Sequence, residues 1–212
     1  MNQAVPVTTR LLFARHGETE ASRSNVFSGS TDIPLTDQGL KQAEALARRL
    51  GHEQVDALYC SPQQRALQTA TPTAEILGLE IRQCAGFREM GFGEWEMRTR
   101  QELEKDYPEE MEIWESGSWM TAPPGGETQQ EVIARAIPCL LDLLKKHAGQ
   151  TVLIFAHRTT IRLLLSSMLD MNLPNARALG LDTTGLTEVR IKGSRVYLLY
   201  QNDTHHLDNL AR

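Results

Sequence analysis

The stretch Leu11-Leu12-Phe13-Ala14-Arg15-His16-Gly17-Glu18-Thr19 decides how the rest of the chain is read. Four consecutive apolar residues without polar alternation describe a strand buried on both faces, and such strands belong to parallel sheets covered by helices. The run then ends in a guanidinium, an imidazole and a glycine. Open parallel sheets bind ligands beyond the carboxyl ends of their strands, so these end residues are placed to meet one.

Two more short apolar runs, Asp56 to Cys60 and Val152 to Ala156, read as neighbouring buried strands. The segments between them have helical spacing. One helix is expected from Thr36, with Leu40, Ala43, Leu46, Ala47 and Leu50 on its inner face. A second is expected from Ser61 as N-cap, with Pro62 at the first helical position and Gln64 closing a capping box. A third starts at Thr128, whose partner three residues on is Glu131, and carries Val132, Ile133, Ala136, Ile137, Leu140, Leu141 and Leu144 inward, with a kink at Pro138. A fourth follows His157 through Ile161, Leu164, Leu165 and Met168. Leu186 to Ile191 and Arg195 to Tyr200 flank Lys192-Gly193-Ser194 as an edge hairpin. The fold expected is a single three-layer α/β/α domain over residues 1–212, with a mostly parallel central sheet. Residues 86–126, rich in Glu, Trp, Met, Gly and Pro, break the alternation and read as an insertion covering one end of the sheet.

A chain of 212 residues buries enough core to need no metal or disulfide staple. The balance of 27 acidic against 22 basic residues, with no run of Lys or Arg, offers no electrostatic footprint for nucleic acid. Cys60, Cys84 and Cys139 are an odd number without CxxC spacing, which favours reduced thiols and a cytoplasmic location. Residues 1–10 lack the apolar core of a signal peptide, and no later run approaches the ~18 apolar residues of a membrane span.

Polar residues converge at the carboxyl end of the expected sheet from three separate places. Arg15-His16 follows the first strand, Arg65 lies in the first turn after the second, and His157-Arg158 follows the strand ending at Ala156. Paired arginines and histidines around one crevice make an anion site, because guanidinium forks match phosphate oxygens and helix N-termini add N–H donors. A zinc site built from both histidines and a glutamate is disfavoured by the arginine beside each histidine. His205-His206 read as an exposed tail.

The ordered set Arg15-His16-Gly17-Glu18-Thr19, Phe27-Ser28-Gly29, Asp32-Ile33-Pro34-Leu35-Thr36-Asp37-Gln38-Gly39, Ser61-Pro62 with Arg65 and Thr69-Ala70, Arg88-Glu89, Phe92-Gly93-Glu94-Trp95, Pro124-Gly125-Gly126-Glu127-Thr128 and Phe155-Ala156-His157 resembles the histidine phosphatase superfamily, also called phosphoglycerate-mutase-like. The resemblance implies that His16 is the nucleophile. It places Arg15, Arg65 and His157 around the phosphate oxygens, and makes Glu89 the proton donor to the leaving oxygen. It also implies substrate contacts from Ser22, Asn25, Ser28 and Gly29, and no cofactor or metal. Glu89 would then have to hold a proton near neutral pH and later act as base on water.

Two positions depart from the family pattern. Ser22 stands where many members have an Asn that touches phosphate, with Asn25 three residues on, and Arg158 replaces the glycine that commonly follows the second histidine. An arginine there either reshapes the loop or adds a cation at the rim of the substrate pocket. The compact Glu94-Trp95-Glu96 and Pro-Gly-Gly-Glu-Thr segments look like the small phosphatases. A phosphoglycerate mutase and a phosphate-binding module without turnover remain the alternatives, and the substrate's non-phosphate half and the oligomeric state stay open.

Overall fold

A computed structural model describes residues 7–208 and 210. The first buried run is strand β1 (Thr8–Arg15), followed by a short helix α1 (Glu20–Arg23) and by α2 (Asp37–Leu50). Next come β2 (Ala57–Cys60), α3 (Gln64–Leu77), β3 (Ile81–Gln83), α4 (Arg100–Asp106) and α5 (Pro108–Glu115). The chain continues through α6 (Gln129–Lys146), β4 (Thr151–Ala156), α7 (Arg158–Met168), β5 (Leu186–Lys192) and β6 (Arg195–Asp203). The six strands form one sheet in the order β3-β2-β4-β1-β5-β6. The first four are parallel, and β5 and β6 add antiparallel at the β1 edge, as the hairpin reading expects.

Alternation along the strands divides the core in two. Leu11, Phe13, Val152, Ile154 and Ala156 pack with Ala136, Leu140, Ile161 and Leu164 of α6 and α7. Leu12, Ala14, Leu58, Leu153 and Phe155 pack with Leu46, Leu50, Ala66 and Ala70 of α2 and α3 on the other face. Both strand faces are therefore covered, which is why β1 and β4 read as unbroken apolar runs. The helix after β1 lies on one face and the helix after β4 on the other. The adjacent ends of β1 and β4 are thus the point where the winding reverses, and a crevice opens there.

Several helix faces differ from the sequence reading. Leu40 is 43% exposed, because its neighbour Gly39 faces inward so closely that a Cβ would lie 2.1 Å from the Glu18 carbonyl oxygen. Leu141 also faces out, and Leu143, one helical turn from Leu140, takes the inner place. The capping box of Thr128 and Glu131 forms as expected. The three-residue β3 is half-exposed and carries no apolar run that would mark it. Within residues 86–126, a third apolar cluster of Met90, Phe92, Trp95, Leu103, Met111 and Trp114 packs on Val132, Leu163 and Ala176. Among the described residues no helix is long and apolar enough to cross a membrane.

Candidate active site

The turn after β1 is fixed by its own backbone. The His16 N–H donates to the Ala156 carbonyl (3.1 Å), the Thr184 N–H donates to the Arg15 carbonyl (3.1 Å), and the Gly17 N–H donates to the Thr69 hydroxyl (2.9 Å). Gly17 needs its missing side chain, since a Cβ would lie 2.7 Å from the Gly39 carbonyl oxygen. The decisive contact is between His16 Nδ1 and the Gly17 carbonyl oxygen at 2.8 Å. A carbonyl only accepts, so Nδ1 carries the proton and Nε2 keeps a free lone pair. Among the described residues Nε2 has no hydrogen-bond partner.

His157, at the end of β4, lies across from it with ring centroids 5.1 Å apart. Arg65 Nε donates to His157 Nδ1 (3.2 Å), which makes His157 the opposite tautomer: its Nε2–H donates to Ser61 Oγ (2.8 Å). Ser61 is therefore not an N-cap. Its hydroxyl serves His157, and α3 begins later, behind Gln63, without a side-chain cap. The remaining Arg65 nitrogens donate to the carbonyls of Thr31 (3.0 Å) and Gly29 (2.8 Å).

The Glu89 carboxylate approaches from residues 86–126 and caps the start of α7. It accepts from the N–H groups of Met90 (2.9 Å), Thr159 (3.1 Å) and Thr160 (3.2 Å). Two side chains that carry no motif hold this loop. Gln63 bridges the Glu89 N–H (2.8 Å) and the Gly29 carbonyl (2.6 Å), and Arg135 donates to the carbonyls of Gly86, Arg88 and Glu89 while paired with Glu127. Only their offset from the loop in three dimensions reveals them.

These residues border a cleft of about 330 Å³. Arg15, His16, Ser22, Asn25, Ser28, Glu89 and Arg158 lie on its wall, whereas Arg65, His157 and Gly29 are buried and do not line it. Ser28 Oγ is buried without a hydrogen-bond partner among the described residues, and so is Arg15 Nε. The Ser22 hydroxyl, by contrast, is engaged with Thr19 in the cap of α1. Asn25 adopts φ 51°, a left-handed conformation that asparagine tolerates better than most residues. His206 is not an exposed tail residue: it is half-buried, with Nε2 3.0 Å from Thr184 Oγ1, behind the Arg15-His16 turn. Among the described residues no three His, Cys, Asp or Glu side chains are grouped to hold a metal ion.

Electrostatics keep the nucleophile candidate neutral. Burial, followed by the Arg15 and Arg65 charges, pushes His16 well below the ordinary imidazole value, and burial with Arg65 and His16 does the same to His157. Both imidazoles stay neutral in the fold while the unfolded chain takes up protons below its ordinary pKa of about 6.5. Stability should therefore fall as pH drops through that value, by about 1.4 kcal/mol per pH unit for each ring. Urea midpoints between pH 7 and 5 check this. His157→Gln should remove one proton from the slope, and a flat profile in the parent protein would contradict the assignment.

With this geometry in place, comparison with known proteins is decisive. The family model of the histidine phosphatase superfamily (branch 1) matches residues 11–204. The chain belongs to the histidine phosphatase superfamily. Phosphoserine phosphatase 1 of Hydrogenobacter thermophilus is 29% identical, covering 93% of this chain and 94% of its own. The adenosylcobalamin/alpha-ribazole phosphatase of Salmonella typhimurium is 32% identical over 76% of this chain and 80% of its own. The solved structure of mycobacterial glucosyl-3-phosphoglycerate phosphatase superimposes with a TM-score of 0.84 at 28% identity, covering 92% of this chain and 99% of that one.

Proposed function

We propose that the protein hydrolyses a small-molecule phosphomonoester by passing the phosphoryl group through His16 Nε2. The observation that carries the reading is the His16 tautomer: Nδ1–H is committed to the Gly17 carbonyl, and the other nitrogen is left as a lone pair on the cleft wall. Phosphoryl transfer asks mainly for positioning and charge stabilisation. Arg15 supplies cationic N–H donors at the cleft, Ser28 Oγ adds a polar atom without a partner there, and the buried Arg65 holds His157 beside the His16 ring.

In the first step His16 Nε2 bonds to phosphorus as the ester P–O bond breaks, and Glu89 gives its proton to the departing alkoxide. In the second, Glu89 takes a proton from water, the hydroxide bonds to phosphorus, the P–N bond breaks, and inorganic phosphate leaves. Residues 86–126 bring Glu89 to the nucleophile and cover the site, within one domain. Three relatives with three different phosphorylated substrates support a shared phosphate centre and a variable outer pocket. The unpaired cysteines favour work in the cytoplasm.

Phosphate release from a panel of phosphomonoesters tests the reading. Steady release is expected from some member without added metal. Interconversion of 2- and 3-phosphoglycerate with a bisphosphate primer, and no release, would make the protein a mutase; binding without either reaction would make it a phosphate-binding module.

A further inference from the structure

Four more arginines line the cleft: Arg100 is paired with Glu104 and Glu115, and the other three, two of which no motif announces, are Arg158, Arg162 and Arg177. Arg158 opens α7, and Arg162 follows four residues later on the same helix face. Arg177 reaches the wall from residues 173–178, stacked over Trp114 at 4.7 Å. Each inner member is held from behind: Arg162 Nε donates to the Leu179 carbonyl (2.7 Å) and an Arg177 terminal nitrogen to the Trp114 carbonyl (2.6 Å). Remaining N–H groups of both forks are free to meet a ligand. Among the described residues none of the three forms an ion pair with an Asp or Glu.

Like charges held this close oppose one another. Burial, then the Arg158 charge, pushes Arg162 down to about 10, and burial with Arg158 pushes Arg15 down to about 9, so both remain protonated at neutral pH yet at a cost. The Glu89 carboxylate on the same wall offsets part of that repulsion, and a bound anion would offset more. A second and independent observation is Gln129, 4% exposed, whose Oε1 is on no hydrogen bond among the described residues although the side chain lies on the same wall. A buried acceptor without a partner is costly unless something fills it, and a hydroxyl or ammonium on a ligand would.

We infer that Arg158, Arg162 and Arg177 form a second anion subsite, so that the substrate is a small phosphomonoester bearing another anionic group, a carboxylate or a second phosphate, beside a hydrogen-bond donor for Gln129. The assignment of the first anion to the His16 end rests on the phosphatase reading. A cleft of about 330 Å³ has room for the phosphate and a metabolite-sized group carrying the second anion. Guanidinium forks accept carboxylate and phosphate alike, so the probes must separate them.

Titration calorimetry with non-hydrolysable probes tests the subsite apart from turnover. Propylphosphonate carries one anion, 3-phosphonopropionate adds a carboxylate, and propane-1,3-diphosphonate adds a second phosphonate. At least one dianionic probe should bind tenfold to a hundredfold more tightly than propylphosphonate, and the stronger of the two identifies the second group. In R158Q/R162Q that preference should shrink at least tenfold. Arg158→Gln alone, at an exposed position, keeps the test valid if the double variant does not fold, and should reduce the preference at least threefold. Equal binding of all three probes, no binding of any, or a preference that survives both variants would overturn the inference. Absence of phosphate release from every ester, with the dianion preference intact, would instead overturn the phosphatase reading and leave the subsite standing.

Discussion

Glu89→Gln is expected to lower kcat/KM for alkyl phosphomonoesters by roughly 10²–10⁴, the usual contribution of a positioned general acid. The glutamine oxygen can still accept from the N–H groups of Met90 and Thr160, which share one carboxylate oxygen, and only the Thr159 N–H, which meets the other, loses its acceptor, so the loop and the start of α7 should largely hold their shape. What is lost is the proton for the leaving oxygen. A stable phenolate departs without one, so kcat/KM for p-nitrophenyl phosphate should fall much less, by under tenfold. The comparison belongs on kcat/KM because that quantity covers only the steps up to release of the alcohol, before water attacks phosphohistidine. Equal losses on both esters would show that Glu89 acts on water or on structure alone.

Arg65→Ala should cost roughly 10² in kcat/KM, because the buried guanidinium fixes His157 and the Gly29 and Thr31 carbonyls, and small misplacements of a phosphoryl-transfer site are expensive. The structure adds a stability effect. The Arg65 guanidinium is 1% exposed and donates to His157 Nδ1 and to the carbonyls of Gly29 and Thr31, so its loss strands two acceptors and leaves the Gly29 carbonyl with Gln63 alone. Each acceptor left without a partner costs about 1–3 kcal/mol, reduced where water enters. Thermal unfolding should therefore shift downward together with the rate. Arg65→Lys, which keeps the charge but not the fork, should recover less than a tenth of the lost activity. Full activity in Arg65→Ala, measured on folded protein, would remove this side chain from the account.

The strands β1, β2 and β4 were legible because burial on both faces erases polar alternation, and α2 and α6 because Thr36 and Thr128 cap them with their own side chains. Ser61 misled for a physical reason. Its hydroxyl could cap α3 or hold His157, and only the three-dimensional position of β4 decides between them. The residues at strand ends were visible as a convergence of Arg15, His16, Arg65 and His157 on one sheet edge. Their division of labour was not, since a tautomer depends on a backbone carbonyl one residue away and on an arginine 92 residues distant. Gln63 and Arg135 carry no pattern because their work is done on main-chain carbonyls and N–H groups, which no sequence displays. Arg162 and Arg177 look like ordinary surface arginines until the fold turns α7 and residues 173–178 toward the same cleft.

The central claim is that a phosphoryl group rests on His16 Nε2 between the two half-reactions. Rapid mixing with a radiolabelled phosphomonoester, quenched in alkali where phosphohistidine survives, tests it directly. Peptide mapping of the quenched protein should recover the label on His16 within the first turnover, stable to base and lost in acid, and His16→Ala should neither take up label nor release phosphate. Label on His157 or any other residue, or full turnover by His16→Ala, would contradict the account.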